Sequence, residues 1–223
     1  CHGMWSKGWD FHKPSQNLVN AFKVGADGLP MFDTYEDEHN IYPINGVEQA
    51  QKWDPRLFHT VGIPTFPYKY ETGESEDGLV KSLLMTKDNA RCPSSYGYYT
   101  SLKEVPQRKK GESYTESTWQ GFAMNDYVVR YTEMMLWRAE ALIETNEIPA
   151  GIAILNEIRQ RANRSVNKYI GYASSKIARL SDYNTGASLE DARKYLRWEK
   201  RLEMAMESER FFDLRRWGLA SET

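Results

Sequence analysis

Leu196-Arg-Trp-Glu-Lys-Arg-Leu-Glu-Met-Ala-Met-Glu-Ser-Glu-Arg-Phe-Phe-Asp-Leu-Arg-Arg-Trp-Gly218 is a charged stretch with helical spacing and a glycine to stop it. Glu199, Glu203 and Glu207 stand four apart, and Arg210 and Leu214 continue the row. On a helix running unbroken to Gly218, one face therefore presents three carboxylates and then a guanidinium. A row of like charges needs cations from elsewhere in the chain. Ser188 is placed to cap this helix, with Glu190 and Asp191 in its first turn. Leu189, Ala192, Leu196, Leu202, Met206 and Leu214 follow one stripe only in part, and Trp198, Phe211 and Trp217 fall off it. The helix is therefore expected to pack on more than one side.

The cations stand upstream. Tyr127 to Thr145 carries Val128, Tyr131, Met135, Ala139 and Leu142 at three- and four-residue spacing, the stripe of an amphipathic helix. Asn146 suits the left-handed residue that ends a helix, and Pro149 suits the first turn of the next. Ile152, Leu155, Ile158 and Ala162 supply the matching stripe of a second helix, Ile152 to Arg164, which carries Arg159 and Arg161. An antiparallel helix hairpin follows, with Ala139 and Ala141 permitting close approach. Arg201 and Arg210, which interleave with the glutamates, are expected to join the same ion-pair network. The hairpin resembles a tetratricopeptide unit, with no second copy in the sequence.

Residues 1–126 read differently, as loops punctuated by Gly and Pro. Ser15 or Asn17 caps a short helix over Leu18 to Phe22, and Val47 to Lys52 forms another before Asp54-Pro55 ends it. Gly25-Ala-Asp-Gly28 is a turn that joins Phe22 to Val24 with Met31 to Tyr35 in a hairpin or tight loop. Residues 165–187 form a polar connection. The fold class expected is mainly α, a tetratricopeptide-like hairpin plus a long C-terminal helix, with a loop-rich region of short strands and helices. Residues 1–223 are read as one domain, 1–126 loop-rich and 127–218 helical.

Composition excludes several functions. Twenty-nine basic against thirty-one acidic residues leave a net charge of -2, which gives no electrostatic basis for a general nucleic-acid binder. With 40% hydrophobic and 27% charged residues, the chain has the composition of an ordinary globular protein. No apolar run reaches the length of a membrane-spanning helix. Cys1 and Cys92 make neither a disulfide framework nor a zinc site. His2, His12, His39 and His59 stand at no ligand spacing, and nucleotide-binding glycine loops and nucleophile-elbow motifs are missing.

Four blocks together resemble the SusD/RagB family. They are Pro14-Ser-Gln-Asn-Leu-Val-Asn-Ala-Phe22 with Asp27-Gly28, and Trp53-Asp-Pro-Arg-Leu57. Then come Arg130-Tyr-Thr-Glu-Met-Met-Leu-Trp-Arg-Ala-Glu-Ala-Leu-Ile-Glu144 with Ala150-Gly-Ile-Ala-Ile-Leu-Asn-Glu-Ile-Arg-Gln-Arg-Ala162, and Glu199 to Gly218, in the family's order. The resemblance implies a glycan-binding lipoprotein on the external face of the outer membrane, held by a lipid anchor. Its partner would be a SusC-like TonB-dependent transporter. Only thirteen residues precede the first block, so the chain is expected to lack the family's N-terminal part, with Cys1 an ordinary residue. Some relatives bind calcium; the resemblance alone brings that ion in, and no calcium-loop pattern or other cofactor signature stands in the sequence.

The candidate ligand-binding residues come from chemistry rather than from a motif. Trp5, Trp9, Tyr96, Tyr98 and Trp119 sit in polar, glycine-bearing stretches, where a ring can stack on the C–H face of a pyranose while Asp10, Asn89, Arg91 or Gln120 bonds its hydroxyl rim. The competing reading makes such rings satellite hydrophobic clusters over the helices. Glu203 and Glu207 as an acid–base pair are set behind a structural ion-pair network. Two rivals remain open. One is a helical-repeat adaptor using Asn156 and Arg159 in a groove. The other is a glycoside hydrolase using carboxylates such as Asp10 and Asp88.

Overall fold

The computed structural model describes residues 12–36, 51–63, 97–103, 127–169 and 175–221, the side chains of 167–169 excepted. Among these residues the fold is mainly α. The helices are α1 (Gln16–Ala21), α2 (Leu57–Thr60), α3 (Tyr131–Glu144), α4 (Ile148–Tyr169), α5 (Leu189–Glu203) and α6 (Arg210–Arg216). Four two-residue strands accompany them: β1 (Lys23–Val24), β2 (Lys52–Trp53), β3 (Val61–Gly62) and β4 (Thr100–Ser101). They pair antiparallel as β1 with β2 and β3 with β4.

The hairpin of α3 and α4 forms as its punctuation dictates. Asn146 takes φ 68° after α3, the amide of Glu147 returns to the Leu142 carbonyl at 2.8 Å, and Pro149 sits in the first turn of α4. Ile152, Leu155, Ile158 and Ala162 are all buried, as their spacing predicts. On α3 the core stripe differs from the expected one. Thr132, Leu136, Ala139 and Ile143 face inward, while Val128 and Tyr131 stand out at 95% and 77% exposure. Two apolar stripes lie side by side on this helix, and periodicity alone does not say which one meets a partner. Close approach comes from Ala139 and Gly151, not Ala141, which is exposed. A Cβ at Gly151 would meet Ile143 Cγ1 at 2.6 Å and the Ala139 carbonyl at 2.9 Å.

The C-terminal helix is broken rather than continuous. Ser188 caps α5 by accepting the Asp191 amide at 3.1 Å, but α5 stops at Glu203. Met206 and Ser208 then take φ 65° and 67°, and α6 starts afresh at Arg210. Lys200 holds α6 against α5 through Asp213, 2.7 Å away and buried with it. Arg216 and Trp217 tie α6 to Glu140 of α3. Gly218, at φ 75°, ends α6 with the Leu219 amide on the Leu214 carbonyl.

α5 divides two hydrophobic clusters, as its off-stripe apolar residues imply. Ala192 and Leu196 pack with Leu136, Ile143, Ile152 and Leu155 of the hairpin. Leu202, with half-buried Trp198, packs instead with Phe22, Trp53, Leu57, Phe58 and Tyr99 of the loop-rich half. In that half Ser15 caps α1 through the Leu18 amide. The Gly25–Gly28 turn closes a tight loop with the Gly25 amide on the Leu29 carbonyl and a bridge from Val24 to Pro30, but residues 32–36 turn instead of forming a strand. Lys52 lies in β2, not at the end of a helix, and the rest of the expected Val47 to Lys52 helix lies outside the described residues except Gln51, which has no helical conformation. The short helix here is α2, after Asp54-Pro55: the Leu57 amide bonds the Asp54 carbonyl and the Asp54 carboxylate takes the Arg56 amide.

The polar connection before α5 is pinned along α4 by asparagines seven residues apart. Asn163 exchanges both amide bonds with the backbone of Leu180, and Asn156 does the same with Tyr183. Arg159 lies between them.

Candidate functional site

The carboxylate row meets its cations in a largely buried hub. Asp54 orients Arg56 by accepting from its Nε at 2.9 Å and from the far end of its guanidinium at 2.6 Å. The remaining nitrogen of Arg56 reaches Glu199, and Glu203 at 3.5 Å. Arg159 donates to the carbonyls of Ser181 and Gly28 at 2.7 and 2.8 Å, to the Tyr183 hydroxyl at 3.1 Å, and to Glu199 at 3.4 Å. Its guanidinium also covers the Tyr183 ring, 4.2 Å from the centroid. Arg161 takes Glu203 at 2.5 Å, while Arg130 bonds Glu207 at 2.6 Å and Lys103 joins Glu207 from the other side. Burial alone would raise the Glu203 carboxyl, but Arg56, Arg161 and Lys103 bring it down to about 2.

Arg159 and Arg161 are thus the partners their helix position implies; Arg201 and Arg210 are not. Arg201 turns to Asn17 and lies over the rings of Tyr35 and Trp198, at 4.9 and 5.2 Å. Arg210 opens α6 beyond the break, where burial and the nearby Arg201 lower its pKa to about 10. The break also takes Glu207 off the helix. It still reaches the hub because the chain turns back toward Arg130.

Beside the hub opens a cavity of about 290 Å³, lined by Arg56, His59, Thr60, Lys103, Arg161, Ala162, Ser165, Leu202 and Glu203. Burial and the charge of Lys103 push His59 down to about 4, so its ring is neutral at pH 7. Burial lowers Lys103 against the pull of Glu207. His59 Nε2 lies 3.2 Å from Ser165 Oγ, but the Ser165 hydroxyl donates to the Ala162 carbonyl at 2.7 Å, so its proton is not directed at the imidazole. Glu203 is ionised near neutrality and has no proton to give. Among the described residues the wall offers hydrogen-bond donors for holding a polar ligand, and none of them sets a nucleophile against a base.

The five aromatic candidates fare unequally. Trp5, Trp9, Tyr96 and Trp119 lie outside the described residues, as do Asp10, Asp88, Asn89, Arg91 and Gln120. Tyr98 is half-buried just ahead of β4, and its neighbour Tyr99 turns into the core. Tyr99 donates to Gln16 at 3.0 Å, with burial pushing its phenol up to about 12. The adaptor reading loses its groove residues: Asn156 and Arg159 both point inward and are engaged by the pinned loop. A half-buried aromatic group that the sequence reading passed over is Phe32, Tyr35 and Trp198. Both smaller rings meet the indole edge-on at 5.4 and 5.0 Å. Its signal was present in Trp198, which falls off the helix stripe beside Arg201.

Comparison with known proteins fits this architecture. Residues 2–223 match the model of the SusD family. No curated protein matches the chain. Among solved structures the fold is similar to a SusD superfamily protein from Bacteroides vulgatus ATCC 8482, with TM-score 0.53 and 20% identity over 94% of this chain and 34% of that one. It is also similar to a SusD-like carbohydrate-binding protein from Bacteroides fragilis NCTC 9343, with TM-score 0.44 and 23% identity over 92% of this chain and 35% of that one. The chain therefore spans about a third of the length of either structure. Because the family match runs through the hub, the hairpin and the loop-rich half alike, the chain belongs to the SusD family.

Proposed function

We propose that the protein captures oligosaccharide or polysaccharide at the external face of the outer membrane without breaking a bond, and passes it to a SusC-like TonB-dependent transporter. The observation that carries this reading is the family match over residues 2–223, which includes the aromatic, glycine-bearing stretches as well as the helical frame. The hub supports the non-catalytic part. Its row of glutamates, which in another setting would serve as acid and base, is committed to arginines and lysine and holds α4, α5 and the loop-rich half together. In this reading the full-length protein is held by a lipid anchor. It needs no cofactor for capture, calcium entering only by analogy with relatives.

Trp5, Trp9, Tyr96, Tyr98 and Trp119 are the stacking residues of this proposal. Affinity electrophoresis through gels containing plant, host or microbial polysaccharides tests it, with Trp5, Trp9, Tyr98 and Trp119 each changed to Ala. Retardation by one glycan, lost in an aromatic variant of unchanged fold, is the expected result. A folded protein retarded by none of the panel contradicts it.

A further inference from the structure

Among the described residues that line the cavity beside the hub, Arg56, Lys103 and Arg161 stand with a single carboxylate, Glu203. Behind that lining, Asp54 and Glu199 engage Arg56, and Glu207 engages Lys103. Arg56 and Arg159 are sealed in by several acceptors each, whereas Arg161 gives one nitrogen to Glu203 and another to the neutral hydroxyl of Thr132 at 3.1 Å. Its side chain is 49% exposed and lines the cavity, as do Lys103, Ser165 and His59.

Such a wall is suited to an oxoanion. A guanidinium presents its N–H groups in a planar fork that matches a carboxylate or sulfate, and a cavity with partly desolvated walls strengthens that attraction. Glu203 is the one carboxylate in the lining among the described residues, and both of its oxygens already accept from arginines, Oε1 from Arg161 and Arg130 and Oε2 from Arg56. Its charge is thereby compensated. The volume of about 290 Å³ matches a single ring or small group rather than a chain of sugars.

We propose that this cavity binds an oxoanionic group, carried as the carboxylate of an acidic sugar. The sugar carrier rests on the glycan-capture reading; the anion site itself does not. Calorimetric titration of the whole chain tests it, with a galacturonic acid oligosaccharide, its carboxyl-reduced neutral counterpart, and sodium sulfate, all at one low ionic strength. The acidic oligosaccharide is expected to bind at least tenfold more tightly than the reduced one, and sulfate to compete with it. Arg161→Gln should weaken that binding tenfold or more and Arg161→Lys by less. Ser165→Leu, which fills the cavity without changing its charge, should abolish it. Sulfate binding that is lost in Arg161→Gln, with the acidic and reduced sugars bound alike, removes the acidic-sugar carrier and so overturns the proposal as stated, leaving only a site for small oxoanions. Equal binding of acidic and reduced sugars, or acidic binding unchanged in folded Arg161→Gln and Ser165→Leu variants, overturns the proposal and leaves capture of neutral glycan standing. Failure of all three probes overturns it as well.

Discussion

Arg159 of α4 and Glu199 of α5 meet at 3.4 Å with neither side chain exposed to solvent. A buried pair of this kind is tolerable only when its other groups are satisfied, and here they are. Arg159 also serves the Gly28 and Ser181 carbonyls and the Tyr183 hydroxyl, while Glu199 also receives Arg56. The pair therefore joins five segments of the chain, at Gly28, Arg56, Arg159, Ser181–Tyr183 and Glu199. Arg159→Ala is expected to destabilise the protein by about 3–5 kcal/mol, because it leaves Glu199 buried with one cation fewer. Urea unfolding measures this; a loss below about 1 kcal/mol would mean that solvent reaches the pair.

Acid should weaken the fold in two consecutive windows. His59 is depressed from 6.5 to about 4, so the unfolded chain takes up that proton first and stability falls as pH drops from 6.5 toward 4. Glu203 is depressed from 4.5 to about 2, so its contribution is complete above pH 4.5 and is lost on the way down to 2. Each is worth on the order of 3 kcal/mol when fully expressed. Unfolding free energies at intervals from pH 7.5 to 3 should show both, and His59→Asn should flatten the upper window alone. A profile that does not change between pH 6.5 and 4 contradicts the burial of His59.

Gly151 sets the spacing of the hairpin. Gly151→Ala places a methyl group against Ile143 and the Ala139 carbonyl, and is expected to cost about 1–3 kcal/mol despite the better helix propensity of alanine. Gly186→Ala is the control, since its Cβ would meet only Asn184 Oδ1, at an ordinary 3.5 Å. Equal melting temperatures for the two variants would show that α3 and α4 pack less closely than described.

The outer stripe of α3, with Tyr131, Met134 and Trp137 exposed and Val128 exposed just ahead of the helix, is an apolar face on a chain that spans a third of its structural relatives. Faces of this kind associate. The chain is expected to show concentration-dependent association by light scattering, reduced in the double variant Tyr131→Ser, Met134→Gln. A strictly monomeric chain at high concentration refutes that expectation.

The same stripe marks where the sequence ceased to be legible. The second helix of the hairpin was readable because Ile152, Leu155, Ile158 and Ala162 form its one apolar row. α3 carries two, and only tertiary packing chooses between them. Asn146, Pro149, Ser15 and Ser188 were readable because capping and left-handed geometry are local properties. The break after Glu203 was not. Met206 and Ser208 adopt positive φ without glycine, held by the buried Lys200–Asp213 pair and the contacts of α6 with Glu140. The row of glutamates correctly demanded Arg159 and Arg161. Arg130 stands at the start of the helix that was read, but its pairing with Glu207 depends on the unread break after Glu203, and Arg56 and Lys103 come from stretches whose course no periodicity encodes. Of the five proposed stacking rings, Tyr98 alone lies within the described residues, and chemistry rather than spacing nominated them all.

The most direct test of glycan capture combines binding and turnover in one vessel. The chain is titrated by calorimetry with oligosaccharides cut from the polysaccharide that retards it most, and the mixture is then assayed for new reducing ends. The account predicts a saturable heat, a ligand recovered intact, and loss of the heat on removing a stacking ring such as Trp9 or Tyr98. No saturable heat from any oligosaccharide with a folded protein, or a ligand returned as shorter products, would contradict it.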